Sequence, residues 1–226
     1  MGFPLPDDPE YRAAIADLLG MLALGELAAF SRLAADAEMA PAIEDREAFA
    51  RLALTEFTHY ELLAARVREF GYEPAAVMSP YAEGFAAFHE RTRPSTWLEA
   101  VVKAFVGDGI AADFAREIAE FVDGDSRSVI HATVAHEERS TVLLDLARRG
   151  MAADAHVSGR LALWGRRLHG EAITQAQVVA AQRESLAALL TDQFGGPGLD
   201  LARLGELFAR LADRHTDRMA LLGLTA

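Results

Sequence analysis

The sequence contains no cysteine in its 226 residues. Disulfide bonds, zinc–thiolate sites, iron–sulfur clusters and cysteine nucleophiles are therefore excluded. Aromatic residues are few, at 8%, and proline occurs 8 times. Any redox chemistry would have to come from a bound metal ion or another cofactor.

Positive charge is also scarce. The 22 Lys and Arg residues are outnumbered by 34 Asp and Glu residues, which gives a formal net charge of −12. This balance argues against broad electrostatic binding of nucleic acid. A local cluster of arginines is the exception, and we interpret it as a solvated face at helix ends: Arg148, Arg149, Arg160, Arg166 and Arg167.

Long uninterrupted hydrophobic runs are lacking. Residues 18–30 are apolar but are interrupted by Gly25 and Glu26, and the N-terminal residues carry no basic segment. We expect this stretch to be too short to span a bilayer. The sequence therefore predicts a cytoplasmic protein without a membrane partner.

Alanine and leucine are abundant, and glycine and proline fall mostly between long periodic stretches. These features predict an all-α protein. We expect one domain over residues 1–226, with a bundle core at about 8–150 and covering helices at about 156–222 that could also form a homodimer interface. The predicted helices span residues 8–39, 44–70, 81–91, 94–124, 126–150, 156–191 and 199–222.

Two polar residues interrupt the apolar face of the predicted helix 44–70. Glu56 and His59 lie among Phe49, Leu52 and Leu63 at alternating three- and four-residue steps, which place them on one face of a helix. A buried carboxylate is costly unless its charge is compensated, and a metal ion is one compensator. Glu-x-x-His is also the spacing used by di-iron and di-manganese four-helix bundles, although alone the motif is a weak signal.

Three other predicted helices repeat this pattern near their middles. Glu26 is surrounded by apolar residues in the first helix, as is Asp108 in the helix 94–124, and His136 is the inward ionisable residue of the helix 126–150. Mid-helix residues meet at one level of an antiparallel bundle. We therefore predict a site for iron, or alternatively manganese, with the metal ligands Glu26, Glu56, His59, Asp108 and His136.

Each of these residues also has a structural interpretation. Glu26 could form a buried hydrogen bond near Gly25, His59 could be a hydrogen-bonded core histidine, and Asp108 could mark a helix irregularity between two glycines. Glu137 shares a second face of its helix and is the main rival of His136. Asp113 and Glu117 lie on another face of their helix and are predicted to form salt bridges or an interface, with Asp113 as a reserve ligand.

Four segments resemble a known family. LGELAAF around Glu26, EFTH at Glu56–His59, VGDGIAADF from Val106 and GRLALWGRR from Gly159 are similar to the actinobacterial ferritin-like proteins related to the tRNA isopentenyladenosine hydroxylase, the MiaE-like group. The resemblance covers nearly the whole chain. It implies a ferritin-like four-helix bundle, here with two additional C-terminal helices, a non-haem di-iron centre that activates dioxygen, and a tRNA substrate.

The second half of the implied di-iron site departs from the family pattern. That pattern has a glutamate on the third long helix, whereas the nearest inward carboxylate of this chain is Asp108, one turn earlier. On the next helix the pattern has an acid followed three residues later by histidine, whereas this chain has His136 and Arg139. Arginine stays protonated and cannot ligate a metal. Three outcomes follow for the site: one ion, two ions with altered ligands, or none, in which case Arg139 could neutralise the acids.

The sequence thus leaves three functions open. The first is a di-iron-type hydroxylase or oxidase acting on a small molecule or, by resemblance only, on tRNA. The second is an iron-binding or ferroxidase-like protein without an organic substrate. The third is a bundle without catalytic metal that serves as a structural or interaction module.

Overall fold

The computed structural model describes residues 8–134, 137–154, 156–191, 194 and 201–226. These parts of the chain form helices and contain no strand, as the all-α prediction requires.

The first two helices pair along most of their lengths. Helix α1, Pro9–Asp36, begins where the Asp8 carboxylate accepts hydrogen bonds from the backbone N–H groups of Glu10 and Tyr11, and a 3₁₀ turn extends it to Met39. Helix α2, Ile43–Glu69, ends before Gly71, whose positive φ of 86° suits glycine. Both agree closely with the predicted helices 8–39 and 44–70.

The segment 71–80, between the predicted helices 44–70 and 81–91, contains a short helix that the sequence analysis missed. Helix α3, Pro74–Met78, is followed by the 3₁₀ turn Ser79–Tyr81 and by helix α4, Ala82–Arg91. Proline at the first position of α3 starts this helix rather than preventing it. Helix α3 packs against α1, where Val77 contacts Gly20.

The sequence predicted two helices in the next part of the chain, at residues 94–124 and 126–150. Helix α5, Trp97–Ala119, begins at Thr96, whose hydroxyl accepts a hydrogen bond from the Glu99 N–H. The predicted single helix 126–150 is wrong, because the chain forms α6, Gly124–Thr133, and α7, Glu137–Ala153. The break is at Val134, whose carbonyl accepts a hydrogen bond of 2.6 Å from Arg116 instead of continuing the helix.

The predicted helix 156–191 is also interrupted. Helix α8, Val157–Gln182, and helix α9, Glu184–Leu190, meet at Arg183, which has an extended backbone. The guanidinium of Arg183 and the hydroxyl of Ser185 both bond the buried carboxylate of Asp17 on α1. Helix α10, Leu201–Leu221, matches the predicted helix 199–222, while residues 195–198, which separate the last two predicted helices, lie outside the described residues.

Two groups of buried apolar side chains fill the interior. One joins α5, α7, α8 and α10 to the facing ends of α1 and α2, and the other joins α1, the second half of α2, α5, α6 and α9. Phe49, Leu63 and Leu161 are fully buried. Helices α8 and α10 thus cover α5, as expected for covering helices.

One helix qualifies as a membrane span by length and composition. The segment Pro9–Met39 is 31 residues long and contains an 18-residue window with a mean hydropathy of 1.7, so the expectation that the apolar stretch is too short does not hold for the whole helix. Half of its apolar window is buried inside the fold. The core helix of a soluble protein has the same properties.

Candidate metal centre

Three ligand-type side chains meet between α1 and α2. Glu26 comes from α1, whereas Glu56 and His59 lie one turn apart on α2. The Nδ1 atom of His59 lies 3.5 Å from Oε2 of Glu26 and 3.7 Å from Oε2 of Glu56. One donor atom from each residue lies within 4.8 Å of the other two. The structure therefore brings together three of the five predicted ligands.

The three side chains differ in their access to solvent. The exposed fraction of the side chain is 2% for Glu56, 8% for His59 and 20% for Glu26. Two carboxylates thus share a largely dry site with one imidazole, and Glu26 forms its more accessible side.

Burial and proximity change the proton affinity of these groups. Burial, together with the nearby Glu56, raises the pKa of Glu26 well above its ordinary value. Burial alone would lower the pKa of His59, but hydrogen bonding and the charges of Glu26 and Glu56 outweigh it and raise the pKa to about 9. The cluster therefore holds protons that a binding metal ion would have to displace.

The donor set fits a metal ion. Two carboxylate oxygens and one imidazole nitrogen suit iron or manganese, and the separation of the donors allows them to share one ion. A divalent cation would also compensate the buried negative charge. Glu26, Glu56 and His59 are therefore a group that could hold a metal ion.

Aromatic rings adjoin this cluster. Phe30 follows Glu26 by one helical turn, and Phe57 follows Glu56 directly. The ring centroids of Phe30 and Phe57 are 5.3 Å apart, and Tyr60 lies 5.5 Å from Phe57. These half-buried rings thus pack together where α1 and α2 meet.

The second half of the predicted site is not part of this cluster. Asp108 on α5 is half-buried and does not belong to the group of donor atoms described above. His136 lies outside the described residues, as do the side chains of its rival Glu137 and of Arg139. The roles of Asp108 and His136 as ligands remain predictions.

Asp113 and Glu117 form ion pairs, as expected for these residues. Asp113 bonds Arg218 on α10 and lies 3.1 Å from Nη1 of Arg116. Glu117 lies 2.8 Å from Arg210 and 3.0 Å from Arg214. Sequence reasoning did not find these arginines, although their four-residue spacing matches that of the two acids. Asp113 is committed to these pairs and is not a reserve ligand of the cluster.

The structure thus has a pair of helices that carries a carboxylate/histidine cluster and is covered by further helices. A comparison with known families agrees with this architecture. A family model described as the ferritin-like domain of actinomycetes matches residues 9–193. The chain belongs to this ferritin-like family. The match includes α1, α2 and α5, and thereby Glu26, Glu56, His59 and Asp108, whereas α10 lies beyond it. No curated protein matches the chain significantly.

Proposed function

We propose that this ferritin-like protein binds iron through Glu26, Glu56 and His59 and uses it for oxygen-dependent hydroxylation or oxidation of a substrate. The observation that carries this proposal is the convergence of the three donors within 4.8 Å from two helices of the bundle. Iron bound there would supply one-electron redox chemistry with dioxygen.

The chain's own residues have separate roles in this proposal. Glu56, which is almost fully buried, would provide a fixed negative charge, and His59 would provide a nitrogen donor. Glu26, with a fifth of its side chain exposed, would lie on the side that substrate approaches.

The second half of the centre is part of the same proposal. Asp108 and His136 would complete it, and Glu137 is the alternative to His136. The site would then hold one or two ions, and manganese is the alternative metal. Arg139, three residues after His136 in the sequence, would oppose a second cation by its charge.

A small molecule is the substrate class that the surface favours over tRNA. The exposed arginines of the predicted basic cluster already have partners within the chain. Arg148 and Arg166 donate to backbone carbonyls near the end of α10, and Arg149 and Arg160 pair with acids. The net charge of −12 further disfavours contacts with the phosphates of a nucleic acid. We further propose that the protein acts in the cytoplasm.

Metal content tests the proposal. Protein purified without chelator after growth with added iron should contain iron by mass spectrometry, one or two ions per chain. Glu56→Gln should bind iron at least ~10-fold more weakly. Glu61→Gln, an exposed residue of the same helix, should bind like the wild type. Iron-free wild-type protein would overturn the proposal.

The second candidate is a ferritin-like bundle that needs no metal. The contacts of His59 with both carboxylates favour it, because the imidazole can itself neutralise part of their charge. This candidate predicts no bound iron and an α1–α2 pair of unchanged stability when a chelator is added. Iron oxidation without consumption of an organic substrate would instead support the ferroxidase-like alternative.

A further inference from the structure

Helix α10 lies in a groove between α5 and α8, and a glycine marks each closest approach. A Cβ atom on Gly109 of α5 would overlap Nε of Arg218. A Cβ atom on Gly165 of α8 would lie 2.5 Å from the end of the Met219 side chain. Because Arg218 and Met219 are neighbours on α10, both sides of that helix are in tight contact at one level.

The side of this junction that faces α5 has more cations than anions. Asp113 and Glu117 are the acids, and both are less than a fifth exposed. Their direct ion-pair partners are four arginines: Arg116, Arg210, Arg214 and Arg218. Glu206 adds a negative charge near Arg210, so four positive charges face three negative ones in this network.

The side that faces α8 contains two stacked histidines. The rings of His169 on α8 and His215 on α10 are nearly parallel, with an interplanar angle of 6° and centroids 4.4 Å apart. His215 is only 4% exposed. The positive charge of Arg218 adds to burial in lowering the pKa of both histidines, which places its guanidinium near both rings.

Several buried nitrogens of this junction have no hydrogen-bond partner among the described residues. They are Nη1 of Arg214, Nη1 of Arg218, Nε2 of His169 and both ring nitrogens of His215. The Arg214 nitrogen lies 3.9 Å from a carboxylate oxygen of Asp113, which is too far for a hydrogen bond. A buried donor or acceptor without a partner is costly, and a bound ion is one way to satisfy it.

We propose that the junction of α5, α8 and α10 binds a small oxyanion, a phosphate or a carboxylate, through Arg214, Arg218, His169 and His215. An oxyanion supplies acceptors for the guanidinium and imidazole N–H groups and compensates the excess positive charge. A metal cation is disfavoured, because the two arginines would repel it. This proposal does not depend on the metal centre.

Thermal unfolding with inorganic phosphate and with acetate, each compared with chloride at equal ionic strength, tests the proposal. At least one of the two anions should raise the midpoint of the wild-type protein. A response to phosphate alone indicates a phosphate ligand, and a response to acetate indicates a carboxylate. If neither anion raises the midpoint more than chloride does, the proposal is wrong.

Variants locate the effect. His215→Phe keeps an aromatic ring in the stack and removes both nitrogens, and it should weaken anion binding about 10-fold or more. Arg218→Met should do the same. His131→Phe, which changes an exposed histidine of α6, is the control and should bind like the wild type. Equal anion binding by His215→Phe and by the wild type would contradict the proposed site.

Discussion

Glu56 shows how one residue can carry information about function. Its side chain is almost fully buried, although an apolar residue would suffice for packing at this position. The sequence alone predicted its inward position and its neighbour His59, because helix periodicity fixes which residues share a face. It could not fix the approach of Glu26, since that depends on how α1 packs against α2.

Gly20 is a position where a single methyl group should matter. In Gly20→Ala the new Cβ would lie 2.7 Å from Cγ2 of Val77 and 3.0 Å from the Val77 backbone. We expect a loss of about 1–3 kcal/mol in the free energy of unfolding from overpacking. Gly170→Ala, at an exposed helical position with open space, should instead gain about 0.5–1 kcal/mol. Urea denaturation of both variants measures the difference.

Tyr11 connects α1 to the start of α6. Its hydroxyl donates to Oδ2 of Asp123 at 3.2 Å and accepts from the Asp123 N–H at 2.7 Å. Tyr11→Phe leaves a buried N–H without its acceptor, so we expect a loss of about 1–3 kcal/mol in unfolding free energy. Tyr72→Phe, half-buried near the end of α2, should change it by less than about 0.5 kcal/mol. Equal losses in both variants would contradict this role of Tyr11.

At the scale of elements, the sequence predicted the ends of α1, α2 and α4 well, because proline, glycine and the apolar period mark them. It missed the breaks at Val134 and Arg183, where neither glycine nor proline occurs. Both breaks depend on distant partners, since Arg116 bonds the Val134 carbonyl and Asp17 bonds the Arg183 side chain. Local pattern cannot reveal such contacts.

Asp113 should be the main electrostatic anchor of α10. Asp113→Asn would leave the buried guanidinium of Arg218 without its counter-charge, and we expect a loss of about 3–5 kcal/mol. Hydrogen exchange should then accelerate most in α10. Asp145→Asn, whose exposed carboxylate pairs with Arg149, should cost about 1 kcal/mol or less. Unchanged exchange in α10 would contradict the anchoring role.

The histidine stack should make α8–α10 packing sensitive to acid. Burial, with His169 and Arg218 nearby, lowers the pKa of His215 to about 4, below its ordinary value of about 6.5. The stabilisation is complete above pH ~6.5 and is lost as pH falls toward 4, up to about 3 kcal/mol. His169 and His89 have lowered pKa values and act in the same direction. Unfolding of His215→Phe across this range should show a weaker pH dependence, and an identical profile would refute the assignment.

For the whole molecule, the proposed metal should contribute to stability by mass action. Iron(II) or manganese(II) at about 100 times its dissociation constant should add about 2.7 kcal/mol to the unfolding free energy. Adding a chelator should remove this gain, as measured by thermal unfolding under anaerobic conditions. His59→Phe should show no metal-dependent gain. A gain that survives in this variant would place the metal elsewhere.

Composition and periodicity together predicted the helical class and the central part of the site. They did not predict how α10 is held, because its arginines contact acids far away in the sequence. The second half of the metal centre depends on Asp108 and His136, and the spacing of these residues alone does not establish their convergence.

The position of α10 also has a consequence for synthesis on the ribosome. Glu117 and Asp113 bond arginines 93 and 105 residues further along the chain. At an elongation rate of about 5–20 residues per second, these acids would remain without their arginine partners for roughly 5–20 seconds. During that interval α5 of the nascent chain would expose the acids and apolar side chains that α10 later covers.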